Sequence, residues 1–185
     1  SMDWQMEFNT DKCKVMHIGK ENPGFKYFMN GKELQCIASE KDLGIEVSST
    51  LKSSGQVIQA YNKASRMLGM MGRTIMSRSP QVLLNIYKTI VRPHLEYCTP
   101  AWSPHNKKDK ELLERVQHRF TRFFKHLRKL EYTDQLRSLG LWSLEERRNR
   151  ADLIEVFKMA KAISATPLQA LFTCGPLIQN KGTRL

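Results

Sequence analysis

From Ser54 to Ile75 the chain reads SGQVIQAYNKASRMLGMMGRTI. Its apolar residues Tyr61, Ala64, Leu68, Met71 and Ile75 recur every three or four positions, which predicts an amphipathic helix, although Gly69 and Gly72 weaken it a little. At 100° per residue, Lys63, Arg66 and Arg73 fall opposite that stripe, with Gln59 and Asn62 beside them. A helix is therefore expected that packs on one side and is cationic on the other.

Before this helix the sequence is different. Short β-like runs at 13–18, 25–28, 33–38 and 43–47 are separated by turn signals, and Asn30-Gly31 is a strong hairpin signal. After it, Pro80 to Val91 is apolar almost all round, so it should be a buried central helix that Pro93 ends or kinks. A turn over Pro100 to Asn106 leads to a third helix, Lys107 to Lys129, with a stripe of Leu113, Val116, Phe120, Phe123, Phe124 and Leu127. Thr133 can cap a short helix closed by Gly140. Ser143 and Glu146 form a capping box opening a last helix expected to bury Leu153, Ile154 and Phe157 and to reach about Ile163. The expected fold is α+β: a small N-terminal antiparallel sheet over residues 1–50, a mainly helical bundle over 51–166 and a tail over 167–185.

The 185 residues hold 30 Lys plus Arg against 18 Asp plus Glu, a net charge of +12 that points to a polyanionic partner. Between Glu46 and Glu96 there is no acid, while Lys52, Lys63, Arg66, Arg73, Arg78, Lys88 and Arg92 are all cationic. Arg115, Arg119, Arg122, His126 and Lys129 step by four and three along one flank of the third helix, with Glu111 and Glu114 intruding near its start. The segment from Lys107 to Lys129 has nine cations against three acids, a net +6. Such rows suit phosphate-backbone contact.

Catalytic chemistry is not indicated. The histidines at 17, 94, 105, 118 and 126 are scattered, and there is no phosphate-binding glycine loop or converging carboxylate pair for two-metal chemistry. Cys13, Cys36, Cys98 and Cys174 lie far apart, without zinc spacing, so reduced thiols in an intracellular protein and no cofactor are expected. No apolar run approaches membrane-spanning length, and the outer faces of the basic helices lack the Trp and Leu wedge of membrane-surface helices. Ser1 ahead of Met2 is expected to be the remnant of a removed tag.

Several segments carry a resemblance. Trp4 to Gly19 (WQMEFNTDKCKVMHIG) resembles the segment just downstream of the catalytic aspartates in reverse transcriptases of LINE-type, non-LTR retrotransposons, closest to the chicken-repeat and jockey-like branch. The likeness continues through Glu40 to Gly44 (EKDLG), Leu84 to Cys98 (LNIYKTIVRPHLEYC), Ala101 to Pro104 (AWSP) and Leu139 to Arg148 (LGLWSLEERR). The resemblance implies that 9–18 corresponds to palm motif D, with Lys12 as the lysine proposed to assist the leaving pyrophosphate. It also implies that Asp42, Leu43 and Gly44 belong to the motif E hairpin, or primer grip, and that the helices from Ser54 correspond to the thumb and the region after it.

The metal-binding aspartates of that family would precede residue 1, so the expectation is a catalytically inactive module, either a fragment or a domesticated retroelement product. Such a module would bind RNA, DNA or their hybrid in the nucleus or cytoplasm. The alternative is a host protein that self-associates or binds a protein partner over an exposed sheet edge.

Overall fold

The computed structural model describes residues 8–19, 21–76 and 79–173. Trp4 to Glu7 of the resemblance, Arg78 of the acid-free stretch and the tail from Cys174, with Gly175, Pro176 and Gly182, lie outside them.

The architecture is α+β, but among the described residues the strands form three separate pairs and not one antiparallel sheet. β1 (Lys14–Val15) pairs in parallel with β4 (Gln35–Cys36), in the register Val15 to Cys36. Between them β2 (Phe28–Met29) and β3 (Lys32–Glu33) make an antiparallel hairpin around Asn30-Gly31, both at positive φ as a type I′ turn requires. That hairpin reverses the chain, and a single residue, Leu34, then leads into β4, so β4 runs alongside β1 instead of against it.

β5 (Ser39–Asp42) and β6 (Ile45–Ser48) form a second hairpin. Leu43-Gly44, expected to begin a strand, is instead its turn, at φ 46° and 89°. A leucine in the left-handed region is sterically unfavourable, which hid the turn from propensity reasoning. The Tyr97 hydroxyl donates to the Leu43 carbonyl at 3.0 Å and secures that conformation.

The bundle begins with α1 (Ser54–Thr74), whose Val57, Ala60, Ala64, Leu68 and Met71 are buried. Burial of Val57, Leu68 and Met71 contributes on the order of 1.5–3 kcal/mol each, enough to outweigh the two weak glycine positions. The β5–β6 hairpin is tied to its first turns: the Gln56 side chain accepts from the Glu46 N–H at 2.9 Å, and the Gln59 amide donates to the Glu46 carboxylate.

α2 (Pro80–Ile86) passes into one π turn (Tyr87–Val91) and then α3 (Pro93–Glu96). This segment is not buried all round, because Val82 and Ile90 are exposed; only Leu83, Tyr87, Val91 and Leu95 are fully covered. Those positions step by four, which drifts round a 3.6-residue helix, and the wide π turn takes up the drift just before Pro93. The turn expected over Pro100 to Asn106 begins as a helical turn, α4 (Thr99–Trp102).

α5 (Lys107–Thr121) is shorter than expected. Phe124 adopts an extended backbone, and a 3-10 turn (Lys125–Leu127) follows. Beyond the break Phe124 and Leu127 are both buried, Phe124 edge-on to Phe120 with ring centroids 5.5 Å apart. The local helical pattern, which no proline or glycine interrupts, therefore does not by itself set the end of α5.

α6 (Tyr132–Ser138) starts from Glu131, so Thr133 lies in its first turn and does not cap it. Gly140 closes it at φ 59°, with the Leu141 N–H on the Leu136 carbonyl and its own N–H on Arg137, a Schellman ending. α7 (Leu144–Ala160) opens with the expected Ser143–Glu146 capping box. It buries Leu144 and Arg148, however, and leaves Leu153, Ile154 and Phe157 exposed.

Candidate nucleic-acid interface

Both cationic rows face outward. On α1, Arg66 and Arg73 are exposed and Lys63 is half-buried; Asn62 is exposed beside them, whereas Gln59 is held by Glu46. The reason is geometric: these residues lie on the side of α1 away from the stripe that packs on α5 and the π turn.

On α5, Arg115 and Arg119 are exposed within the helix, and Arg122 is exposed as its C-cap residue. His126 and Lys129 are also exposed, but they lie on the 3-10 turn and the turn after it, so the expected four-turn helical row is broken after Arg122. The Arg128 Nε donates to the Arg122 carbonyl at 2.9 Å, turning a further cation toward the negative end of α5.

Among the described residues, none of Lys63, Arg66, Arg73, Arg115, Arg119, Arg122 and Lys129 has a carboxylate ion-pair partner. Of the two acids near the start of the α5 row, Glu111 remains exposed and pairs with Lys107 at 3.9 Å. Glu114 turns inward, where it accepts from the Tyr132 hydroxyl and, at 2.9 Å, from the Leu144 N–H. Burial, followed by the Arg122 charge, holds the His118 imidazole below its ordinary range, so His118 contributes no charge to the row near neutral pH. α1 and α5 pack against each other through their buried stripes, and each row lies on the side of its helix away from its own stripe.

The residues implied by the resemblance lie elsewhere. Lys12 is exposed in the turn before β1. The Lys14–Glu40 ion pair joins that strand to β5 and so to the hairpin bearing Asp42, Leu43 and Gly44. Leu43 is 83% exposed at the hairpin tip. Beneath the hairpin lies a groove of about 390 Å³ that includes Val47, Leu51, Tyr97 and Trp102 in its lining. Among the described residues, no group of three or more His, Cys, Asp or Glu is placed to hold a metal, and no helix is long and apolar enough to cross a membrane.

Sequence reasoning missed a set of interior polar residues behind the α5 row. Gln117 is fully buried; its Oε1 accepts from the Tyr87 hydroxyl at 2.9 Å, and its amide donates to the Trp142 carbonyl at 3.0 Å and to Glu114 at 3.1 Å. Glu96 accepts from the Arg147 guanidinium, at 3.0 Å for one of two contacts, and lies 3.5 Å from Arg92, clamping α3 to α7. Arg148 is buried, with both terminal guanidinium nitrogens unpartnered. Periodicity shows that Arg147 and Arg148 point 100° apart, but not which of them enters the core. The chain matches no protein-family model, no curated protein and no solved structure.

Proposed function

We propose that this chain is a catalytically inactive, reverse-transcriptase-derived module, thumb-like in its helices, that binds the backbone of RNA, DNA or their hybrid through the outer faces of α1 and α5. The observation that supports this reading is the set of seven outward cations without carboxylate partners among the described residues. An exposed surface cation that is already paired has little to offer a phosphate; these are available. Lys12 and the hairpin at Asp42, Leu43 and Gly44 belong to the proposal by resemblance alone. Binding without strong sequence preference follows, because arginine rows on outer helix faces reach phosphates more readily than base edges.

The test is fluorescence anisotropy against single strands, duplexes and hybrids at two salt concentrations. If about six cations reach phosphates, log affinity should fall against log salt with a slope of about −5. Arg66→Glu with Arg73→Glu, and separately Arg115→Glu with Arg119→Glu, should each weaken binding and flatten that slope. Since the two pairs lie on different helices and share no partner among the described residues, the two losses should add when combined. Unchanged affinity in both double variants at low salt would reject the proposal.

A second reading, a self-associating or protein-binding module, rests on a different observation. Phe8, Phe25, Tyr27 and Phe28 are exposed around a parallel pair only two residues long, and a pair of that kind is rarely stable without further strands or a covering layer. Light scattering that gave a clean monomer at all accessible concentrations would count against self-association.

A further inference from the structure

Two histidines stand among the cations of the α5 row, and they are placed differently. His126 is exposed on the 3-10 turn beyond the helix. His118 is half-buried within α5, three residues after Arg115 and four before Arg122. At 100° per residue it lies about 60° from the first and about 40° from the second, so each guanidinium is its neighbour across one turn. Arg119 follows it directly in the chain.

From α6 the Tyr132 ring packs on the imidazole, with centroids 4.8 Å apart and planes 62° from parallel. The Tyr132 ring is itself held, because its hydroxyl donates to Glu114 and accepts from the Gln117 amide at 3.3 Å. The nearby acids have other partners or other positions. Glu114, one turn earlier on α5, is taken by Tyr132 and the Leu144 N–H, and Glu111 pairs with Lys107. On α6, Asp134 pairs with Arg137 at 2.7 Å, and Glu131 is exposed ahead of Tyr132. Among the described residues no carboxylate forms an ion pair with the His118 ring. Its charged form is opposed first by burial and then by Arg122, and nothing negative answers them in the free chain.

We propose, resting on the nucleic-acid reading above, that His118 is the proton-sensitive member of the α5 row: a phosphate backbone laid along Arg115, Arg119 and Arg122 draws a proton onto its imidazole, so that acid tightens binding. The phosphates supply the negative charge that the free site lacks and offset the repulsion from Arg122, and the imidazolium adds a donor to the row. Binding and protonation then favour each other by the same factor. The ring holds its proton more tightly in the complex than in the free chain. The gain in affinity is therefore complete below the free chain's lowered range and is lost as pH rises through the higher range of the complex. α1 contains no histidine, so this response belongs to α5 alone of the two rows.

The probe is a labelled RNA–DNA hybrid without terminal phosphates, since phosphate monoesters would themselves titrate near about pH 6. In anisotropy titrations of the full chain at fixed ionic strength, affinity should rise about five- to tenfold from about pH 8 to about pH 5.5. His118→Gln should remove most of that gain and leave the affinity at about pH 8 within about twofold. Arg66→Glu with Arg73→Glu should lower the affinity at every pH and leave the gain in place. In proton NMR the imidazole of His118 should titrate at higher pH in the saturated complex than in the free chain, a reading of the wild type that depends on no variant's folding and is separate from Glu114. A His118 midpoint that does not move up, or a gain that survives whole in His118→Gln, whether or not His126→Gln abolishes it, would overturn the proposal. Binding that is equally tight at both ends of the pH range would overturn it and leave the nucleic-acid reading standing, whereas no binding at any pH would overturn both.

Discussion

The Tyr87 hydroxyl donates to the Gln117 side-chain oxygen at 2.9 Å where both residues are wholly buried. The Tyr87 ring is stacked on Phe120, with centroids 4.1 Å apart and planes 8° from parallel, so the bond joins the π turn to α5 in register with an aromatic contact. Burial holds the Tyr87 phenol far above its ordinary range, which keeps it a donor at any pH the fold survives.

Gln117 serves several partners at once. Gln117→Leu would leave the Tyr87 hydroxyl buried without a partner and take the amide donor from the Trp142 carbonyl, and should cost about 2–3 kcal/mol of unfolding free energy in urea denaturation. Tyr87→Phe orphans only the Gln117 oxygen and should cost about 1–2 kcal/mol. A leucine variant as stable as the wild type would show that the interior bonds contribute nothing net.

Glu114 gives the fold a pH dependence. Burial raises its carboxyl above the ordinary 4.5, opposed by the Tyr132 and Leu144 hydrogen bonds and the Arg148 charge. The native state therefore holds this proton more tightly than the unfolded chain does. The resulting stabilisation is complete below about 4.5 and is lost as pH rises through the raised value. Measured against Glu114→Gln, the wild type should lose ground over that window and run parallel to the variant above it. Arg148→Met removes the nearest compensating charge and should move the window to higher pH. Denaturation at pH steps from about 4 to about 8 would reveal it, and a difference constant with pH would refute the assignment.

The two mid-helix glycines of α1 should answer differently to alanine. A Cβ at Gly69 meets nothing within 4 Å, whereas one at Gly72 would lie 3.1 Å from the Phe123 ring. Gly69→Ala should stabilise by about 0.5–1 kcal/mol, a rise in Tm of about 2–3 °C. Gly72→Ala should gain less, because Phe123 must give way. Equal gains in a thermal melt would mean that the ring moves aside freely.

Much of this was legible from local patterns. The stripe of α1, the glycine ending of α6 and the capping box of α7 each depend on residues within a turn or two, and the structure has all three. The Leu43-Gly44 turn was not legible, because leucine disfavours the left-handed region, and the hydroxyl that secures it comes from Tyr97, remote in sequence.

Sequence alone determined the cationic excess, its acid-free stretch and the outward direction of the α1 and α5 rows, since helical period and burial of the apolar stripe leave those arginines one side to occupy. Tertiary structure decided where α5 stops: the chain leaves the helix after Thr121, with Phe124 and Leu127 both buried beyond the break. It also decided which of Arg147 and Arg148 enters the interior, that Glu114 turns away from the basic row, and that Leu153, Ile154 and Phe157 find no partner in the bundle. Each of these depends on how the elements pack against one another, where local periodicity is silent.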